Sequence, residues 1–192
     1  DLIPLIAPDM VSKALYLQFS AVFGRVLKRA DRIVCVSNWT RNELLKRYPE
    51  FDQKIKVILN GRTEGKIDHG LRIKTSNDNQ YKIMSVGRFE PYKRHEFLFE
   101  IVKNTVDLRL SLVTDAAGKK YVESNLGQLV KSGRIEVFVK KSPQEMIELY
   151  RSSDCYVQTS LYEGYCLPAA ESMSHGTPVI YQSGSGQAIP FI

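Results

Sequence analysis

Two glutamates, Glu163 and Glu171, stand with seven residues between them in the segment Glu163-Gly164-Tyr165-Cys166-Leu167-Pro168-Ala169-Ala170-Glu171. Their types and spacing suit the recognition of a phosphorylated, hydroxyl-rich ligand. An apolar, β-prone run from Cys155 to Thr159 precedes the segment, and a helical pattern from Ala169 to His175 follows it and stops at Gly176. Pro168 suits the first turn of that helix, where its missing N–H would have had no partner. Gly164 is expected to let the turn bend tightly and bring backbone N–H groups close to a ligand above the helix. A helix N-terminus that follows a strand is a ready site for phosphate. Glu163 in the loop mouth and Glu171 inside the first turns can then bind hydroxyls on either side of that phosphate. The same residues also fit a solvated loop glutamate and an ordinary helix glutamate.

A second cluster is basic: Gly87-Arg88-Phe89-Glu90-Pro91-Tyr92-Lys93-Arg94. A turn after a strand places Arg88 and Lys93 near the start of the following helix. Two cations beside a positive helix end can neutralise a diphosphate leaving group. A solvated basic turn is the competing reading of these residues alone.

The elements that must hold these groups alternate along the chain. Strand candidates are 82–86, 108–113, 135–139, 154–158 and 178–181; helix candidates are about 93–104, 118–131, 143–152 and 168–175. Such alternation predicts an α/β fold of βαβ units, with a Rossmann-like parallel sheet layered with helices. Ligands in such sheets bind beyond the carboxyl ends of the strands, and both motifs fall at such ends. Towards the N-terminus, Leu2–Leu5 reads as a short strand, Val11 to Ala30 as a helix ending in basic residues, and Ile33–Val36 as an interior strand. Ser37 or Asn38 can cap a further helix that runs to Pro49, and Ile55–Leu59 reads as another strand. The chain turns polar between Gly61 and Gln80, as a linker does.

Composition narrows the classes. The 192 residues are long enough to bury a core, and 43% hydrophobic with 25% charged is the balance of a globular protein. The net charge of +6 is compatible with anionic substrates or a bilayer surface. No basic stripe with interleaved aromatics marks a nucleic-acid binder. The three cysteines, Cys35, Cys155 and Cys166, have no metal-ligand or redox spacing and read as free thiols. His69, His95 and His175 are scattered and read as surface or helix-end residues, with no metal constellation. No apolar stretch reaches membrane-spanning length.

The glutamate pair, the small-residue helix closed by Gly176-Thr177-Pro178-Val179-Ile180, and the Ser160-Leu161-Tyr162 entry resemble the signature of retaining GT-B glycosyltransferases, most closely family 4 (group 1 type). The resemblance covers nearly the whole chain. It implies a remnant of the N-terminal, acceptor-side domain over 1–60, forming an incomplete second Rossmann-like domain with exposed apolar surface. A linker and variable loop would follow at 61–80. The C-terminal nucleotide-sugar-binding domain would cover 81–192, lacking its last helices. Cys166 and Arg94 stand where the family usually carries glycine.

In the roles that the resemblance implies, Arg88 and Lys93 hold the donor diphosphate and stabilise its departure, with Gly87 in the same turn. Glu171 binds the ribose hydroxyls and Glu163 the donor sugar. Backbone N–H groups around Tyr165, Cys166 and Leu167 meet the distal phosphate, beside Gly164, and Val139 ends the strand against which the base packs. Thr114-Asp115-Ala116-Ala117-Gly118 stands where the family often has a glycine-rich turn.

The implied enzyme is a metal-independent, retaining hexosyltransferase without a cofactor. It takes a nucleoside-diphosphate sugar as donor and a glycan, lipid or other hydroxyl acceptor, in glycoconjugate biosynthesis. It would work in the cytoplasm, with peripheral contact to the cytoplasmic face of a membrane as an option, and with a missing N-terminal segment or a partner chain. A nucleotide-sugar-binding module without turnover of its own is the alternative. A non-hydrolysing epimerase would need acidic and histidine residues in the cleft that this sequence does not offer.

Overall fold

The computed structural model describes residues 2–61 and 80–182. The linker expected at 61–80 and His69 lie largely or wholly outside the described residues. Contacts divide the described chain into two compact units: residues up to Gly61 together with Leu161–Cys166, and residues 80–160 together with Leu167–Gln182.

In the first unit, helix α1 (Ile3–Ile6) and a 3₁₀ turn (Pro8–Met10) lead into helix α2 (Lys13–Arg29). Strand β1 (Ile33–Cys35), helix α3 (Asn38–Arg47), a 3₁₀ stretch (Pro49–Lys54) and strand β2 (Ile55–Val57) follow. β1 and β2 pair in parallel with Ile33 opposite Ile55. Ser12 and Ser37 cap α2 and α3, accepting from the amides of Leu15 at 3.2 Å and Thr40 at 3.0 Å.

The strand expected at Leu2–Leu5 is instead a turn of helix. The Leu5 and Ile6 amides both donate to the Leu2 carbonyl, and Pro4 sits in the first turn. A continuous apolar run carries no period, so only its burial partners decide its conformation. Here Leu2 and Leu5 pack with Leu27, Cys35, Leu44 and Phe51 into one apolar cluster. Leu15, Leu17, Val22 and Val26 of α2 and Val34 of β1 stay exposed.

The second unit is a five-stranded parallel sheet in the order β5-β4-β3-β6-β7. Its strands are β3 (Tyr81–Val86), β4 (Leu108–Thr114), β5 (Ile135–Val139), β6 (Cys155–Gln158) and β7 (Val179–Tyr181). Helices α4 (His95–Asn104), α5 (Ala116–Asn125), α6 (Gly127–Lys131), α7 (Pro143–Ser152) and α8 (Leu167–Ser174) connect them. The helix expected over 118–131 is therefore two helices, broken where Leu126 leaves helical geometry ahead of Gly127. The one expected from 93 starts at His95, after a separate 3₁₀ turn over Pro91–Lys93.

The last five residues of β4 are all buried, as in a strand covered on both faces. Leu110 and Leu112 meet Ile83, Leu98, Phe99, Val102, Val122, Leu126 and Ile135 in the main core. None of the three cysteines is in a disulfide, and burial raises the pKa of Cys35 and Cys155. Among the described residues no helix is long and apolar enough to cross a membrane.

The strand order fixes where a ligand can sit. From β3 the chain runs outward to β4 and β5, then returns to place β6 on the other side of β3, with Ile83 opposite Cys155. The connections thus diverge between β3 and β6. Beyond the carboxyl ends of that pair lies the crevice in which parallel sheets bind ligands.

Candidate functional site

Gly87 directly follows β3, its amide donating to the Val113 carbonyl at 3.0 Å. The chain then turns tightly: the Glu90 amide donates to Arg88 O and the Lys93 amide to Glu90 O, both at 2.9 Å. Arg88 is exposed and Lys93 half-buried, its ammonium 5.4 Å from the Tyr92 ring centroid. Arg94 takes φ +53°, a left-handed conformation that favours glycine, and α4 begins at the next residue. No side chain caps α4, and of its first amides that of Phe97 donates to the Arg94 carbonyl at 3.1 Å. Thr159, just past β6, donates its hydroxyl to the Lys93 carbonyl at 2.7 Å. The exits of the two strands at the crevice are thereby tied together.

Two residues that local spacing could not reveal brace this turn. Asp115 caps α5, accepting from Gly118 N at 2.9 Å through Oδ1 and from Phe89 N at 3.3 Å through Oδ2. Gly118 is packed so closely that a methyl group there would lie 2.4 Å from Thr114 Oγ1 and 2.9 Å from Phe89 Cβ. The Thr114–Gly118 turn thus grips the Arg88 loop through Phe89. Val139 pairs with Thr114 at the end of the edge strand β5, one connection further from the crevice.

The second is His95. Expected as a surface or helix-end residue, it does begin α4, but it is buried, only 2% exposed. It stacks on Phe89 with centroids 6.0 Å apart. Burial, and then the Lys93 ammonium, lower its pKa to about 4, with Asp115 pulling weakly the other way.

Glu171 stands in the second turn of α8, half-buried. Its Oε2 accepts a hydrogen bond from the Tyr150 hydroxyl at 2.8 Å. The sequence offered no partner for this carboxylate; Tyr150 comes from α7 and is 1% exposed. The Tyr150 carbonyl in turn accepts from the Thr177 hydroxyl at 2.6 Å, fixing α7 against the end of α8.

Leu161–Cys166 group with the first unit. Glu163, Tyr165 and Cys166 are buried, and the Gly164 carbonyl accepts from Thr40 Oγ1 at 3.4 Å. The bend assigned to Gly164 falls instead on Cys166, whose φ is +64°, whereas Gly164 is not in the left-handed region. A Cβ on Gly164 would meet Thr40 Oγ1 at 3.4 Å, an ordinary contact. Leu167, at the start of α8, is exposed. Among the described residues no group of three or more His, Cys, Asp or Glu converges to hold a metal ion.

A model of the family "Glycosyl transferases group 1" matches residues 69–188, and one of "Glycosyltransferase Family 4" matches 9–63. Protein CapJ of Staphylococcus aureus is 28% identical over 187 residues, covering 90% of this chain and 47% of CapJ. Sucrose-phosphate synthase of Thermosynechococcus elongatus superposes with a TM-score of 0.73 at 20% identity, over 95% of this chain and 48% of that one. Anabaena HepE, solved with UDP and glucose, superposes at 0.64 and 19% identity, over 94% of this chain and 51% of that one. At such identities the superpositions show the fold, which is that of GT-B glycosyltransferases. The chain spans about half the length of the curated relatives it matches. With the first model alone matching well over half of its residues, the chain belongs to the group 1 glycosyl transferases.

Proposed function

We propose that this chain is the nucleotide-sugar-binding part of a retaining, metal-independent glycosyltransferase. It would move a hexose from a nucleoside-diphosphate donor to a hydroxyl of a glycan or lipid acceptor, on the cytoplasmic side of the cell. The observation that carries this reading is the pairing of strand exits. β3 releases the Arg88–Lys93 turn and its neighbour β6 leads towards α8, with Thr159 bonded to Lys93 between them. HepE, which holds UDP and glucose in its crystal, lends support to this donor class.

In this mechanism Arg88 and Lys93 neutralise the diphosphate as it leaves, the electrostatic role that a metal fills elsewhere. Glu171, aimed by Tyr150, binds the ribose hydroxyls, and Glu163 binds the donor sugar. Amides from Tyr165 to Leu167 meet the distal phosphate. The anomeric C–O bond to phosphate breaks and a new one to the acceptor oxygen forms on the same face. The acceptor proton leaves with the diphosphate.

The test is a thermal-shift screen of nucleoside diphosphates and nucleotide sugars. A ligand at a hundredfold excess over its dissociation constant stabilises by about 2.7 kcal/mol. A chain that no such ligand stabilises would refute the donor-site reading. Because the chain spans about half of its relatives, a binding module without turnover of its own is the second reading. Transfer assays with and without a complementary acceptor-side half separate the two.

A further inference from the structure

The crevice beside Gly87 has one more wall than the motif supplies. A methyl group built on Gly87 would lie 3.4 Å from Lys93 Cδ and 3.5 Å from His95 Nε2. The space a side chain would take on this glycine is therefore bounded by a cationic side chain and by one edge of an imidazole. His95 is also the first residue of α4, a helix of ten residues whose N-terminus has no side-chain cap. The start of α4, the Lys93 side chain and the His95 ring edge thus border the same turn, where the positive end of a helix favours an anion.

The other ring nitrogen decides the tautomer. His95 Nδ1 is buried with no hydrogen-bond partner among the described residues. A proton on Nδ1 would bury an unpaired N–H, whereas a lone pair there leaves only an under-used acceptor. Nε2 therefore carries the proton, as a donor on the Gly87 side. Phe89 stacked on the ring, and burial itself, hold the imidazole neutral and in place.

We propose that His95 is a further donor-binding residue of this site, giving its Nε2–H to a phosphate oxygen of the nucleotide lodged over Gly87. The proposal rests on the donor-site reading above and adds a ligand to it. A neutral donor suits this place. Arg88 and Lys93 already carry the charge that leaving-group stabilisation needs, and a fixed ring edge adds orientation without another buried cation.

The test compares His95→Phe, which keeps the stacking ring and removes the N–H, with His95→Gln, whose amide can reach towards the same position. Calorimetry with ADP, GDP and UDP finds the diphosphate that binds the unaltered chain. Saturation-transfer NMR then reads the matching nucleoside, which lacks phosphate. His95→Phe is expected to weaken the diphosphate about tenfold, the size of one hydrogen bond to a charged group, and to leave the nucleoside unchanged. His95→Gln is expected to recover most of the loss.

Equal diphosphate affinity in His95→Phe and the unaltered chain would overturn the proposal and leave the donor site standing. Equal losses for nucleoside and diphosphate would overturn it too, by showing a purely structural role. If no diphosphate binds the unaltered chain, the donor-site reading falls and this inference with it. Should His95→Phe fail to fold, Gly87→Ala carries the comparison, with the nucleoside again as the control. The alanine methyl makes only ordinary contacts yet occupies the phosphate position, so undiminished diphosphate affinity in Gly87→Ala would overturn the proposal.

Discussion

The hydroxyl of Tyr150 donates to Glu171 Oε2 at 2.8 Å, from a tyrosine that is 1% exposed. A helix glutamate is usually free to rotate in water; this one is aimed. The bond adds to the cost of removing Glu171, because the carboxylate accepts from a hydroxyl on a buried ring. We expect Glu171→Ala to cost about 1–3 kcal/mol of stability besides weakening nucleoside diphosphate binding. Tyr150→Phe should cost about 1 kcal/mol and weaken binding less. A double-mutant cycle by urea denaturation and calorimetry checks both, and additive losses would mean that the two residues do not act together.

Arg88→Ala and Lys93→Ala should lower turnover by about a hundredfold while changing donor affinity far less. Charge on the leaving diphosphate grows towards the transition state, so its stabilisers act mainly there. Steady-state kinetics with the acceptor-side half present separates the two parameters. A variant that raised only the Michaelis constant would rule out the leaving-group role. In the same assay a chelator should leave the rate unchanged.

Arg94 and Cys166 hold φ at +53° and +64°. Glycine at either place should change stability by no more than about 1 kcal/mol, relief of backbone strain offsetting lost contacts and added chain entropy. Valine, which is β-branched and poorly suited to this region, should cost about 2 kcal/mol or more. Denaturation midpoints give the ordering, and valine matching glycine would contradict it.

Gly118→Ala should destabilise by about 1–3 kcal/mol, because its methyl would overlap Thr114 and Phe89. Phe89 carries the Arg88 turn, so donor affinity should fall as well. Thermal melts and a titration read the two effects, and unaltered affinity would separate the turn from α5.

His95 gives stability a pH dependence. Its folded pKa of about 4 lies below the ordinary imidazole value of 6.5, so between the two the unfolded chain binds the extra proton. Its contribution is fully present above about pH 6.5 and is lost as the pH falls towards 4, by about 3 kcal/mol in all. Urea denaturation at pH 7.0, 5.5 and 4.5, on buffers set about those values, should show this slope and its flattening in His95→Phe. Parallel profiles would place the titration elsewhere.

How much of this could be read from the sequence varied with the kind of signal. The parallel sheet was legible because Leu108–Thr114 and its neighbours are short apolar runs spaced by helical patterns. Leu2–Leu5 was misread because four apolar residues in a row fit a strand and a helical turn equally well. The two positions where glycine was expected but absent, Arg94 and Cys166, both adopt left-handed backbone geometry. There the departure itself pointed to local conformation. What stayed hidden were partners brought in from elsewhere along the chain: Tyr150 to Glu171, Asp115 to Phe89, and Phe89 over His95. Such contacts follow from the strand order and leave no mark in local spacing.

The two oxygens of Asp115 have a mechanical consequence. One holds the first turn of α5 through Gly118 N and the other holds the Arg88 loop through Phe89 N. A single carboxylate thus makes the loop and the helix start into one lever. An anion that pulls the loop inward loads both bonds together, so the Phe89 and Gly118 amides should exchange with solvent in step and slow in step when the crevice fills.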